Sequence, residues 1–339
     1  MAAAAATVAF PAASQATAAG GAPPLLKPPR LKPKAVVGLI APGGVVGDEL
    51  IQKCVANLES QEFTVKVGRN IRATHGGYAG TVRERLEDLH GMFSDRDVAA
   101  IWTARGGSGC IHLLPHIDYG LARRHPKILI GISDITALHL AMLRHAGLAT
   151  FHGPTGSSTF SDFSVAQMKA VLMEPTPTRV LPMAEENLAK GAEMPQFRPS
   201  VFRDGRAVGR LVGGNLSLLA ALVGTPYGIQ GSGNLLFIEE VGEAPYQVDR
   251  LLMQLQLARI STQARGVVMG VLQRCEATDA EASLTLAETL EERMAPLRAP
   301  SAYGYSFGHI AHQVTLPIGI RARLDTQART ITLLEPAVS

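Results

Sequence analysis

Apolar residues in this chain fall in short unbroken runs separated by amphipathic stretches. Val36–Ile40 is one such run, followed by Ala41-Pro42-Gly43-Gly44. A continuous apolar run ended by turn residues predicts a buried strand and a tight loop. Ile51, Cys54, Val55 and Leu58 then recur at i, i+3, i+4 and i+7, predicting a helix that starts near Asp48. Thr64–Val67, Val98–Ala104 and Lys127–Gly131 read as further strands, and Asp134–Ala146 as a helix closed by Gly147. Strands that are apolar throughout and alternate with helices predict a parallel sheet covered on both faces.

From about Ser161 to Arg206 the pattern loosens, punctuated by Pro175, Pro177, Pro182, Pro195 and Pro199. Residues 166–206 are therefore expected to cross between two domains, an α/β domain over 35–165 and a second over 207–339. The second begins with a strand (Ala207–Val212), a Gly-Gly-Asn turn (Gly213–Asn215) and a helix (Leu216–Val223). A strand (Leu235–Glu239), a helix (Tyr246–Ala258), a strand (Gly266–Val271) and a helix (Asp279–Met294) follow. Two strands, Ile318–Leu324 and Thr330–Leu334, close the chain, and no internal repeat is visible.

Length and composition agree with this division. A chain of 339 residues suits two domains, and 46% hydrophobic residues suffice for a sizeable core. The net charge of +3 and the 5% aromatic content give no footprint for nucleic acid, so no such partner is expected. No apolar run reaches the ~18–20 residues needed to span a bilayer, so no membrane partner is expected either. The cysteines, Cys54, Cys110 and Cys275, are odd in number and form no CxxC, which points to a cytoplasmic protein without a disulfide framework. Residues 1–34 stand apart. An uncharged Ala-rich stretch is followed by Pro interleaved with Lys27, Arg30, Lys32 and Lys34. The charges come after the apolar part, the reverse of a secretory signal, so a disordered Ala/Pro-rich tail ending in a stiff spacer is expected.

Several familiar chemistries are absent: there is no GxxxxGK[ST], no HExxH and no GxGxxG opening a helix after the first strand. His309 and His312 are spaced i, i+3 but have no accompanying carboxylate, so no metal and no cofactor are expected. The segment Ile130-Gly-Ile-Ser-Asp-Ile-Thr136 is more informative. A serine at a strand-to-helix turn projects its hydroxyl above the sheet edge, as in a nucleophile elbow, and the N–H of Asp134 would face a developing oxyanion. The competing reading is that Ser133 or Asp134 merely caps the helix. Arg105-Gly106-Gly107 ends another parallel strand, where ligands bind in such sheets, and either glycine is a candidate for the second oxyanion N–H. An ordinary tight turn is the alternative. Spacing does not select a base among ten histidines, although His309 and Glu239 lie at plausible loop and strand-end positions.

The motifs together resemble the LD-carboxypeptidase (muramoyltetrapeptide carboxypeptidase) family of serine peptidases. Those that carry the likeness include Gly38–Pro42, Ile101–Gly109, Ile130–His139, Phe151–Pro154, Leu211–Ser217, Leu235–Glu243, Tyr246–Arg250, Phe307–His309 and Leu316–Gly319. The resemblance spans about residues 36–335. It implies a flavodoxin-like (class I amidotransferase-like) parallel sheet with helices on both faces, plus a smaller C-terminal swivelling β/β/α domain. It implies a Ser133–Glu239–His309 triad at the domain interface, with oxyanion donors from Gly106, Gly107 and Asp134. The implied substrate is a murein tetrapeptide that loses its terminal D-Ala, and the implied assembly is a homodimer. A carboxypeptidase needs a cation for the free carboxylate, for which Arg105 is the candidate if its side chain turns inward, a structural ion pair being the alternative. His152 and Asn215 are candidates for polar contacts with the peptide, with a turn-stabilising role as the alternative for both. Two alternatives share the scaffold: a microcin C immunity-type hydrolase of peptidyl or aminoacyl nucleotide conjugates, and a non-catalytic muropeptide-binding protein. An amidotransferase would want cysteine at position 133.

Overall fold

The computed structural model describes residues 23–278 and 282–339. Their strands are β1 (Val36–Ile40), β2 (Thr64–Val67), β3 (Val98–Thr103), β4 (Ile128–Gly131), β5 (Thr150–His152), β6 (Arg179–Leu181) and β7 (Ser200–Arg203). There follow β8 (Arg206–Asn215), β9 (Asn234–Val241), β10 (Gly266–Gln273), β11 (Ser301–Tyr305), β12 (Leu316–Ile318), β13 (Arg321–Asp325) and β14 (Thr330–Leu333). They form a six-stranded sheet, β12-β5-β4-β3-β1-β2, and an eight-stranded sheet, β6-β14-β13-β8-β9-β10-β11-β7. In the first, β1 to β5 are parallel in the flavodoxin-like order and only β12 runs antiparallel, on β5. In the second, β8 to β11 are parallel and the flanking strands antiparallel.

The apolar runs fold as their patterns predict, because a parallel strand covered on both faces has no polar side to present. β4 is buried at every position and β9 at all but its ends. The predicted helix after β1 is observed as Asp48–Glu59, burying Ile51, Cys54 and Leu58. The helix Val82–Ser94 has no counterpart in the sequence analysis. Its signal is the capping box Thr81-x-x-Glu84, in which each residue's side chain bonds the other's backbone N–H.

The crossing region departs from expectation. Helix Asp162–Met173 spans its start, and β6 and β7 extend the two opposite edges of the second sheet, which makes that sheet the wider one. Strands of three or four residues are too short for a period to be read. The chain also returns: β12 leaves the C-terminal half to pair with β5, Leu316 opposite His152. The expected turn at Gly213–Asn215 is instead the extended end of β8. A Cβ on Gly213 would lie 1.8 Å from the Phe237 carbonyl oxygen, so glycine here answers a close backbone approach rather than a bend.

The first 22 residues of the expected tail lie outside the described residues, but its Pro-rich end is packed. Leu26 exchanges backbone hydrogen bonds with Gly147 and Ala149, and Leu31 is 2% exposed in the core. Arg30 and Pro28 bond the backbone of Ser339, and Lys27 pairs with Glu335 at 2.8 Å. Proline suits this segment because an extended chain laid across other elements needs few of its own N–H groups. The variant Leu31→Ala is expected to lose ~2–5 kcal/mol, as for a buried leucine, whereas the exposed Lys32→Ala stays within about 0.5 kcal/mol. Urea unfolding of both variants checks this.

Candidate active site

β4 ends at Gly131, which has no room for a side chain: a Cβ there would lie 2.2 Å from Thr103 Oγ1. Ile132 stays extended, Ser133 turns to a φ of +68°, and a helical run then continues from Ser133 to Ala146. A left-handed conformation costs a non-glycine residue about 1–2 kcal/mol, so it persists only where the surroundings hold it. Here they do. His139, one turn into the helix, bonds the Gly131 carbonyl through Nε2 at 2.9 Å, and Gly147 closes the run at a φ of +65°. The strand-to-helix turn expected at Ser133 is thus observed, and the hydroxyl is half-buried at the carboxyl edge of the sheet.

The loop after β3 abuts this turn. A Cβ on Gly106 would lie 2.6 Å from Ser133 Cβ and 2.9 Å from its Oγ, so only glycine lets the backbone come this close. Gly107 adopts a φ of +99° beside Gly44, in the loop after β1. The site therefore straddles the point between β1 and β3 where the strand order reverses, the usual ligand crevice of open α/β sheets.

Glu239 and His309 come from the second sheet. Glu239 lies on β9, opposite Asn215 of β8, and is fully buried. His309 follows β11 after Gly308, whose φ is +112° and whose Cβ, if present, would lie 3.2 Å from Glu239 Oε2. The histidine Nδ1 sits 2.6 Å from Glu239 Oε2. Burial works against the charge on Glu239, but His309, His152 and Asn215 together outweigh it and hold its pKa below the ordinary value. Burial also opposes the His309 imidazolium, and the Glu239 charge and hydrogen bond outweigh it and raise its pKa.

A cleft of about 550 Å³ joins the two halves, lined by Gly106, Ser133 and His309 among others. Ser133 and His309 face it together without a direct hydrogen bond between them, a distance that apo sites commonly leave open. Arg105 is exposed on the same lining and pairs with no carboxylate among the described residues. The structure thus brings together Ser133, Glu239, His309, Gly106, Gly107, Asp134 and Arg105.

Neither His152 nor Asn215 is part of the cleft lining. His152 is fully buried, edge-on to Phe237 at 5.3 Å between ring centroids. Asn215 is 3% exposed and caps helix Leu216–Ala221 while donating to Glu240 at 2.7 Å. Both are polar, which the sequence shows, but only packing reveals what they face. Among the described residues no group of three or more His, Cys, Asp or Glu is placed to hold a metal, and His312 lies 3.7 Å from Glu186. All three cysteines are free and buried.

The histidines separate by environment. Burial lowers His152 to about 4 and His139 to about 3, so both are neutral, whereas His309 titrates above 6.5. The raised His309 value stabilises the fold fully below pH 6.5, and the contribution is lost as pH rises through the folded value. The lowered Glu239 value stabilises it above pH 4.5, and that contribution is lost as pH falls through the folded value. The pair therefore stabilises most between pH 4.5 and 6.5. Histidine NMR titration is expected to show this order, and Glu239→Gln is expected to lower the His309 midpoint.

Residues 37–153 match the LD-carboxypeptidase N-terminal domain, and residues 208–324 match the LD-carboxypeptidase C-terminal domain. The chain is 37% identical over 318 residues to the probable murein peptide carboxypeptidase of Bacillus subtilis, covering 92% of this chain and 95% of the relative. It is 33% identical to the murein tetrapeptide carboxypeptidase of Pseudomonas aeruginosa over 294 residues, 85% and 92% of the two chains. The crystal structure of muramoyltetrapeptide carboxypeptidase from Oxalobacter formigenes superposes with a TM-score of 0.75 at 29% identity, covering 88% of this chain and 98% of that one. With both halves matched and the likeness running nearly end to end, the chain belongs to the LD-carboxypeptidase family of peptidases.

Proposed function

We propose that this protein is a serine carboxypeptidase that removes the terminal D-Ala from murein tetrapeptides, cutting the bond between an L-centred diamino acid and D-Ala. The observation that carries the reading is the pairing of a buried carboxylate with a histidine across a cleft from a serine held in a strained turn. In the proposed sequence Ser133 Oγ attacks the scissile carbonyl and its proton passes to His309 Nε2. Glu239 accepts from Nδ1–H, fixes the tautomer and stabilises the imidazolium. The carbonyl oxygen becomes an oxyanion, which takes hydrogen bonds from the N–H groups of Asp134 and of Gly106 or Gly107. The C–N bond breaks as His309 returns the proton to the D-Ala amine. Water then attacks the acyl-enzyme, gives a proton to His309 and releases the tripeptide carboxylate with Ser133 restored.

Arg105 is assigned the free carboxylate of D-Ala, since it is a cation on the cleft with no other partner among the described residues. The proposal places the protein in the cytoplasm, with which three unpaired cysteines agree, and takes it as the homodimer that the family resemblance implies. No helix among the described residues is long and apolar enough to cross a membrane.

The variant Ser133→Ala is expected to fold normally and to release no D-Ala from purified tetrapeptide, read by mass spectrometry as retention of one alanine mass. Full activity in that variant would end the serine mechanism. Cleavage of an aminoacyl nucleotide conjugate but not of tetrapeptide would reassign the substrate. Arg105→Ala is expected to raise KM by ~10–100-fold, the worth of one charge-assisted hydrogen bond, with a smaller effect on kcat. Steady-state kinetics decide it.

A further inference from the structure

Two buried charged side chains that hold the glycine loop take no part in the proton relay. Arg85, on helix Val82–Ser94, is 2% exposed, and Asp134 is 3% exposed. Arg85 Nη1 donates to the Pro42 carbonyl at 2.9 Å and to the Gly109 carbonyl at 3.0 Å. Asp134 Oδ2 accepts from the backbone N–H of Cys110 at 2.8 Å. Gly44 N–H donates to the Gly106 carbonyl at 2.9 Å. The loop that carries Gly106 and Gly107 is thus gripped at both ends, by groups from three separate segments.

The grip is shaped for backbone alone. A Cβ on Gly109 would lie 2.9 Å from Arg85 Nη1, and one on Gly43 would lie 2.9 Å from Asp134 Oδ2. Burial disfavours the charge on Arg85, and Asp134 is among the groups that favour it. Retaining two buried charges at such a place is costly unless their geometry is used. Asp134 is also the residue whose own N–H faces the proposed oxyanion. Its side chain therefore ties one half of the hole to the loop that carries the other half.

We propose that Arg85 and Asp134 are positioning residues that set the glycine loop against Ser133 and so aim both halves of the oxyanion hole. This rests on the serine peptidase reading above. The hole acts on the tetrahedral state rather than on bound peptide, so its misplacement lowers kcat and leaves KM nearly unchanged.

The test uses the full chain with Arg85→Met, Asp134→Ala and Asp134→Asn. Folding is checked by circular dichroism and thermal unfolding. Two rates are measured: D-Ala release from tetrapeptide, and labelling of Ser133 by a fluorophosphonate. Arg85→Met and Asp134→Ala are expected to lower kcat and labelling by ~100-fold with KM within about threefold, the scale set by a small misplacement of catalytic groups. Asp134→Asn, which keeps an acceptor for the Cys110 N–H, is expected to recover at least about tenfold over Asp134→Ala. A folded Arg85→Met whose kcat and labelling stay within about tenfold of the parent overturns the proposal, as does a loss confined to KM. If Arg85→Met does not fold, the Asp134 pair decides, and an Asn variant no better than Ala overturns it. If the parent protein labels but releases no D-Ala, the substrate reading fails and the labelling ratios still judge this proposal. A parent that does neither removes the nucleophile, and the inference falls with it.

Discussion

The helical run that starts at Ser133 has almost no face in water. Thr136, Ala137, Leu138, His139, Ala141 and Met142 are all fully buried, which a helix reaches only when it is enclosed on every side. On one side it continues β4 of the first sheet. On the other it meets the end of β8, where the N–H of Asn215 donates to Thr136 Oγ1 at 3.0 Å. A Cβ on Gly214 would lie 2.4 Å from that same hydroxyl, so the contact admits only glycine. One end of this helix holds the serine, and its flank fixes the strand that neighbours Glu239. The antiparallel pairing of β12 on β5 adds a second stitch between the halves. The distance from serine to acid is therefore set by packing that is continuous across both sheets.

Electrostatics follows from that enclosure. A fully buried carboxylate is costly, and removing the partner of such a charge typically costs about 3–5 kcal/mol. Glu239 has that partner in His309, which keeps part of its ring on the cleft. The neighbouring imidazole of His152 has no such exposure and stays neutral. A proton arriving at this corner of the molecule thus has one place to reside. The environment, rather than residue type, separates three histidines of identical chemistry into one titrating group and two structural ones.

Much of the site's first half was legible in the residues. Ile130–Thr136 carries its own turn signal, a buried run broken by glycine and serine ahead of a helix. Gly106 stands where a strand must end, and glycine is the residue that lets another backbone come within contact of a side chain. The second half was not legible in the same way. Glu239 looks like the end of an apolar strand and His309 like any loop histidine, so only the combined resemblance picked them out. Arg85, which stands with Leu89 in one of the motifs that resemble the family, was given no role, because a charged residue on a helix reads as a solvent face until its burial is known. His152 and Asn215 stayed ambiguous for the converse reason, being polar residues that face the interior, the first against aromatic rings and the second against Glu240.

By itself the order of residues determined most of the longer elements, because apolar runs, helical spacing, capping residues and glycines act within a few positions of one another. It determined the parallel first sheet and the strand-to-helix turn at Ser133 for that reason. Only the tertiary structure decided which strands share a sheet, that Leu316–Ile318 crosses back to the first, and that residues 23–34 pack rather than trail. It alone placed a carboxylate 70 positions from its histidine within 2.6 Å. Such pairings depend on the enclosure of many distant segments at once, and no local pattern along the chain encodes that enclosure.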